Sequence, residues 1–395
     1  MKKRSMSFFI LAMALMLVAA GCTKKAKTGE TASEKKTVAI AFVGPKTGSL
    51  ANLGLNALNG VKLAVDQANA AGDLDVKLEL KEFDTQGSGS QASTLKDQFI
   101  NDAEIIGIVG PIFSGETKAI IPSLEEAGLV MISPSATNVQ LPTIIPTETV
   151  FHRLIPDDDI QGKGVSDYVT KVLKLKTMAF IHDNSDYGKA VAEGTRDLLK
   201  GAGVSEAFTD AVDPNSQDYS AVVNKVVGAN PQPDGVFYGG YYAESGRLAK
   251  QLRDAGYKGK FVSGDGSLDV GFVEGAGAKG AEGAVLTCAC KLATTDAPGA
   301  LGKFAKDFKK SLGKNAGTYS TEGFDAANIF IDGIRKGNKT RSSLLRFVEG
   351  ITTFDGISKK LEILPNGNVK SGEVFAYEVK NGKIVNLGTI DQLTK

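Results

Sequence analysis

The chain has 395 residues, enough for roughly two to three domains. Its 42% hydrophobic and 23% charged residues exclude global disorder and a polytopic membrane protein. Lys plus Arg number 46 against 45 Asp plus Glu, so no basic field points to a nucleic-acid partner, and with two histidines a His-rich metal centre is excluded.

In chain order, Lys2, Lys3 and Arg4 precede an uncharged run over residues 8–20. That run is too short to cross a ~30 Å hydrocarbon core as a helix and suits a signal peptide. It ends in Ala19-Ala20-Gly21-Cys22, which resembles the lipobox of bacterial lipoproteins. The resemblance implies removal of residues 1–21 and lipidation of Cys22, which would hold the exported chain to a membrane. Residues 22–36 then read as a polar, Lys-rich flexible tether.

From Thr37 short apolar runs alternate with amphipathic stretches. Strands are expected at 38–43, 76–84, 105–110 and 129–133, with helices at 55–71, 92–101 and 116–127 between and after them. The alternation pauses at 152–159 and restarts. Helices are expected at 159–173, 186–200, 219–227 and 243–255, and strands in MAFIHD, GVFYGG, KFVSGD and AVLTCACK. Asp157, Asp158 and Asp159 read as an N-cap cluster favoured by the helix dipole. Helices at 302–312, 324–336 and 342–350 precede a hairpin turning at Asn381-Gly382. Buried strands between amphipathic helices indicate an α/β fold with parallel sheets covered on both faces.

Cys288 and Cys290 occupy alternate positions of one strand, where a mutual disulfide would be strained, so two small buried thiols are expected. No further ligands for zinc lie near them in sequence. Enzyme motifs fare no better. Gly275-Ala-Gly277-Ala-Lys-Gly280 matches GxGxxG but precedes a strand-like run, whereas dinucleotide binding needs a helix there. No P-loop and no G-x-S-x-G is present, so His182-Asp183 reads as a structural hydrogen-bonded group at a strand end and not as part of a triad. No catalytic residue, metal or cofactor is expected.

In open α/β sheets ligands bind beyond the carboxyl ends of the strands. Those loops carry small hydroxyl residues, aromatics and one acid. Ser114 stands where a strand passes into a helix, whose first N–H groups can take an anion without a cationic side chain. Ser133-Pro134-Ser135-Ala136-Thr137 repeats the arrangement one strand later.

TGSLANLGLNALNGVKLAVDQANAAG, IVGPIFSGET, VMISPSATN, IHDNSDYGK, VFYGGYYAE and the GDG at 264–266 occur in this order. Together they resemble the branched-chain amino acid binding proteins of ATP-driven (ABC) importers, in the type I periplasmic-binding-protein superfamily, over the chain from Thr37 onward. The resemblance implies two Rossmann-like lobes joined by three crossovers, near 152–158, 285–291 and 361–365. Residues 37–156 with 288–364 would form the first lobe, and 157–287 with 365–395 the second. The ligand would be an amino acid caught in the cleft, the partners a permease and its ATPase subunits, and the protein a monomer.

Residue by residue, the resemblance gives Ser114 to the ligand carboxylate. Ser135 and Ala136, chiefly through backbone groups, and the Thr137 hydroxyl would hold carboxylate and ammonium. Tyr187 would reach the ligand on closure, Tyr241 would lie near the ammonium, and Asp265 would pair with it. Leu53, Ile112 or Phe113, and Tyr319 would line the side-chain end. That lining suits Leu, Ile or Val; a smaller or aromatic amino acid, an amide or urea are the alternatives, and a sensor subunit is the alternative to a transport subunit.

Overall fold

The computed structural model describes residues 35–145, 150–370 and 372–395. The signal segment, Cys22 and most of the tether lie outside the described residues.

The first sheet has the order β2 (Lys77–Asp84), β1 (Thr37–Gly44), β3 (Ile105–Val109), β4 (Met131–Ser133) and β5 (Phe151–Arg153), all parallel. The second holds β6 (Thr177–His182), β7 (Ser205–Ala211), β8 (Gly235–Gly239), β9 (Lys260–Ser263) and β10 (Val285–Cys288) in parallel. A short hairpin, β11 (Thr353–Asp355) and β12 (Lys360–Glu362), stands apart, and the antiparallel strands β13 (Phe375–Lys380) and β14 (Lys383–Thr389) extend the second sheet beyond β10. All of Ile105–Val109 and Gly235–Gly239 is buried, as expected of central strands covered on both faces.

Helices α1 (Ala51–Ala71), α2 (Gly89–Ile100) and α3 (Ser114–Glu126) follow the first strands. In the second lobe come α4 (Asp158–Asp167), running on into a π-helical turn over Tyr168–Leu173, then α5 (Gly188–Gly201), α6 (Ser220–Gly228), α7 (Tyr242–Asp254) and α8 (Val270–Ala281). The chain then returns: α9 (Gly299–Leu312) and α10 (Ser320–Arg335) pack on α1, and α11 (Arg341–Glu349) on β3. A terminal turn, α12 (Ile390–Leu393), packs on β14. The polypeptide therefore passes between the lobes three times, after Arg153, after Cys288 and between Glu362 and Phe375. The fold is two-lobed α/β. Among the described residues no helix is long and apolar enough to cross a membrane.

The first lobe is closed by a backbone-to-backbone crossing of α1 and α10. A Cβ on Gly60 would lie 2.1 Å from the Ser320 carbonyl oxygen, and one on Gly323 would lie 2.4 Å from that of Ala57. Neither obstacle is a side chain that can swing away. Gly60→Ala is expected to destabilise the protein by about 1–3 kcal/mol through overpacking. A lowered urea midpoint with an unchanged slope would register it.

Two details differ from expectation, and a third places the glycine-rich motif. Ser205–Ala211 is a strand that periodicity did not reveal, because an edge strand with no fully buried residue needs no apolar run. The glycine-rich stretch holding the GxGxxG match lies inside α8, where a Cβ on Gly246 of α7 would meet the Phe272 carbonyl oxygen at 2.7 Å. Cys288 and Cys290 are joined by a disulfide. The strand ends at Cys288 and the chain bends at once, so the two residues do not share a strand face and their Cα atoms lie 4.9 Å apart.

Candidate functional site

Between the lobes lies a small, tightly closed cavity. Ile112, Phe113, Ser114 and Ser135 line it from the first lobe, with Tyr319 from the start of α10; Tyr187, Tyr241, Asp265 and Gly266 line it from the second. Leu53, Ala136 and Thr137 do not line it. Leu53 is fully buried on the core face of α1 with Ala57, Leu58 and Val61. Both backbone groups of Ala136 are engaged: its N–H donates to Ser133 Oγ at 2.9 Å and its carbonyl accepts from Arg153 Nη1 at 3.0 Å. That leaves it little to offer a ligand.

The hydroxyls have defined polarity. Ser114 Oγ accepts from the Asn138 N–H at 3.3 Å, so its own proton remains available for an acceptor. Ser135 Oγ donates to the Ile112 carbonyl at 2.6 Å, so it presents lone pairs. Ser114 is also the first residue of α3, whose leading N–H groups favour negative charge.

Asp265 sits in a shell of neutral donors. Its Oδ1 accepts from Tyr187 Oη at 2.6 Å and Gln161 Nε2 at 2.8 Å, and its Oδ2 accepts from Tyr319 Oη at 2.7 Å. Burial, and then the Asp265 charge, push both tyrosine hydroxyls well above their usual range, so they act as donors.

Sequence reasoning missed a second acid. Asp157 is the N-cap of α4, accepting from the Ile160 N–H, but Asp158 turns inward. Its carboxylate lies beside the Thr137 hydroxyl, whose hydrogen bond only partly offsets burial, and no other hydrogen-bond partner reaches either group among the described residues. Burial, followed by the charge of Asp265, raises the Asp158 carboxyl well above its ordinary range. The available signal was helical spacing: Asp158, Gln161 and Val165 fall on the buried face of α4.

The lobes also meet on both flanks of the cavity. Asn52 Nδ2 donates to Asp269 at 2.8 Å, Asn138 Nδ2 donates to the Asp186 carbonyl at 2.6 Å, and Lys118 pairs with Asp186 at 2.6 Å. The last pair is half exposed and contributes little to stability. His182 and Asp183 form local turns, accepting from the Asn184 and Ser185 N–H groups. Among the described residues no group of three or more His, Cys, Asp or Glu gathers as a metal site requires.

The model of the family described as periplasmic binding protein matches residues 37–383. The chain is 30% identical to the Leu/Ile/Val-binding protein homolog 3 of Brucella melitensis, over 89% of this chain and 93% of that protein. It is 29% identical to the Leu/Ile/Val-binding protein BraC3 of Rhizobium johnstonii over 88% and 93%. Its fold superposes on the branched-chain amino acid transporter substrate binding protein LivJ of Streptococcus pneumoniae, solved with isoleucine, with a TM-score of 0.80 and 25% identity over 89% of this chain and all of that one. With these matches across nearly the whole described fold, the chain belongs to the periplasmic binding protein family, whose members bind solutes and are not enzymes.

Proposed function

We propose that the chain is an extracytoplasmic receptor that closes on an α-amino acid with an apolar side chain, branched or otherwise, and presents it to the permease and ATPase of an importer. The pair of buried acids carries this reading. Asp158 and Asp265 are buried close enough that the charge of Asp265 raises the Asp158 carboxyl, so ionising both is costly unless a cation joins them. An α-ammonium supplies that cation. Ser114 and the N-terminus of α3 supply the neutral donors that the α-carboxylate needs. Ligand contacts from both lobes then favour the closed state by hinge motion. The roles assigned to Ser135, Thr137, Tyr187, Tyr241 and Tyr319 belong to the same proposal, as do the lobe boundaries above. Lipid attachment at Cys22 rests on the lipobox resemblance and would leave residues 23–36 as the tether of a monomer.

The test is calorimetric titration of refolded protein with α-amino acids. Asp158→Asn is expected to weaken binding roughly a hundredfold, as for loss of one member of a buried, charge-paired contact. Asp159→Asn, one residue further on and exposed, is expected to bind as the wild type does. Equal affinity of wild type and Asp158→Asn would remove that acid from the site.

A further inference from the structure

The geometry points to Gln161 as the positioning residue of the ammonium site: it fixes Asp265 through Oδ1 and so leaves Oδ2 to take the ligand's cation; this rests on the amino-acid reading above. Both ends of the Gln161 amide are engaged by this one acid. Nε2 donates to Asp265 Oδ1 at 2.8 Å, and Oε1 accepts from the Asp265 N–H at 3.2 Å. The two bonds close a ring over the backbone and the side chain of the same residue, which fixes both the loop and the direction of the carboxylate. Only one orientation of the amide serves, since the flipped one sets donor against donor and oxygen against oxygen. Gln161 is 1% exposed, so neither bond competes with bulk water. It lies three residues after Asp158 on the buried face of α4, so one helix face carries one acid and steadies the other.

The two oxygens of Asp265 differ in what they have left to accept. Oδ1 takes the Gln161 amide and, at 2.6 Å, the Tyr187 hydroxyl, which fills both of its lone pairs. Tyr187 is tied to the same loop, its Oη accepting from the Gly266 N–H at 3.2 Å. Among the described residues Oδ2 takes one bond, from Tyr319 at 2.7 Å, and retains a lone pair. Gln161 and Tyr187 stand on the lobe that carries Asp265, whereas Tyr319 precedes α10 of the other lobe. Parting of the lobes therefore leaves Oδ1 with both donors and takes from Oδ2 its one. The carboxylate stays aimed while its receiving oxygen is uncovered. An ammonium entering the open cleft meets a preset acceptor, and less of its binding energy is lost to ordering the site. Tyr319 returns to Oδ2 beside the ammonium as the lobes shut.

The experiment has two arms. Unfolded-and-refolded wild type is titrated with L-alanine, L-valine, L-leucine and L-phenylalanine, and the tightest binder is the probe for both. In a crystal structure of wild type with the probe, the ammonium is expected at hydrogen-bond distance, about 3 Å, from Asp265 Oδ2, with the Gln161 amide still on Oδ1. An ammonium seated on Oδ1 with Gln161 displaced, or one that bypasses Asp265, overturns the assignment while leaving the amino-acid reading intact. In the second arm Gln161→Met, close in length but with no N–H to donate, is expected to weaken the probe roughly tenfold or more. In an Asp265→Asn background the same substitution is expected to change affinity by less than about twofold, because a residue that acts through another adds nothing once that other is gone. Equal losses in both backgrounds would assign Gln161 to general packing, and unchanged affinity in folded Gln161→Met would remove it from the site. The crystal arm needs no variant and decides the matter if Gln161→Met does not fold. Failure of all four amino acids to bind the folded wild type overturns the amino-acid reading, and this assignment with it.

Discussion

Replacing Arg153 with Met is expected to cost about 3–5 kcal/mol of folding stability, the range for removing one partner from a buried charged network. The guanidinium is fully buried. Its Nη1 donates to the carbonyls of Ala136 at 3.0 Å and Asn138 at 2.9 Å, and its Nε donates to Asn368 Oδ1 at 2.7 Å. Nη2 approaches Asp157 at 3.5 Å. One side chain thus ties the loop after β4, the third crossover and the N-cap of α4. Burial pulls its pKa down, while Asp157, Asp158 and Asp159 oppose that shift, so the cation and these acids support one another. Methionine keeps much of the volume but leaves buried carbonyls short of a donor and the acids without their cation. Lysine cannot replace the planar fork. A fall in Tm of about 4–7 °C corresponds to this loss for a chain of this size. A variant melting within a degree or two of wild type would show that water or neighbouring donors take over these contacts.

How much of this was legible in the sequence depended on whether a residue's role is local. β1 and β3 declared themselves because a central parallel strand is apolar on both faces, and a run such as VAIAFV has few other uses. β7 stayed hidden because SEAFTDA lies at the sheet edge, where polar and apolar residues serve equally well. The Cys288–Cys290 bond depends on where β10 stops, which residue types do not specify. The loops around the cavity were legible from the rule that α/β sheets bind at strand ends, and Ser114, Tyr187 and Asp265 do meet there. Asp158 was hidden by its neighbours. Three consecutive acids before a helix satisfy the capping rule with any one of them, and only the tertiary path decides which caps and which turns inward. The meeting of aromatics across the cleft is likewise tertiary, since it brings the Phe113 ring to 4.4 Å from that of Tyr241.

Stability of the ligand-free protein is expected to fall as pH rises from about 4.5 to 7, and Glu116→Gln is expected to flatten that slope. Glu116 is fully buried at the third residue of α3, beneath the Phe113–Ser114 loop. Its Oε1 accepts from the Thr85 hydroxyl and its Oε2 from the Phe113 N–H. Burial outweighs these bonds and raises its pKa from 4.5 to about 7. Glu244, at the third residue of α7 after Tyr241, is also raised to about 7 by burial, and one of its oxygens has no partner. The aromatics that face each other across the cleft therefore both stand on helices with a buried glutamate in the first turn. A carboxyl whose folded pKa exceeds its unfolded value retains more protons in the native state, so its contribution is complete below pH 4.5 and gone once pH has passed about 7. The raised value corresponds to roughly 3 kcal/mol for Glu116 at 1.36 kcal/mol per pKa unit. A glutamine can accept from the Phe113 N–H and donate to Thr85 Oγ without ever ionising. The stability difference between Glu116→Gln and wild type, from urea titrations across this range, should grow in favour of the variant as pH increases and level off above about pH 7. Parallel stability profiles for the two proteins would mean that Glu116 ionises without penalty, and would place the cost of closing this cleft at neutral pH on Asp158 and Glu244.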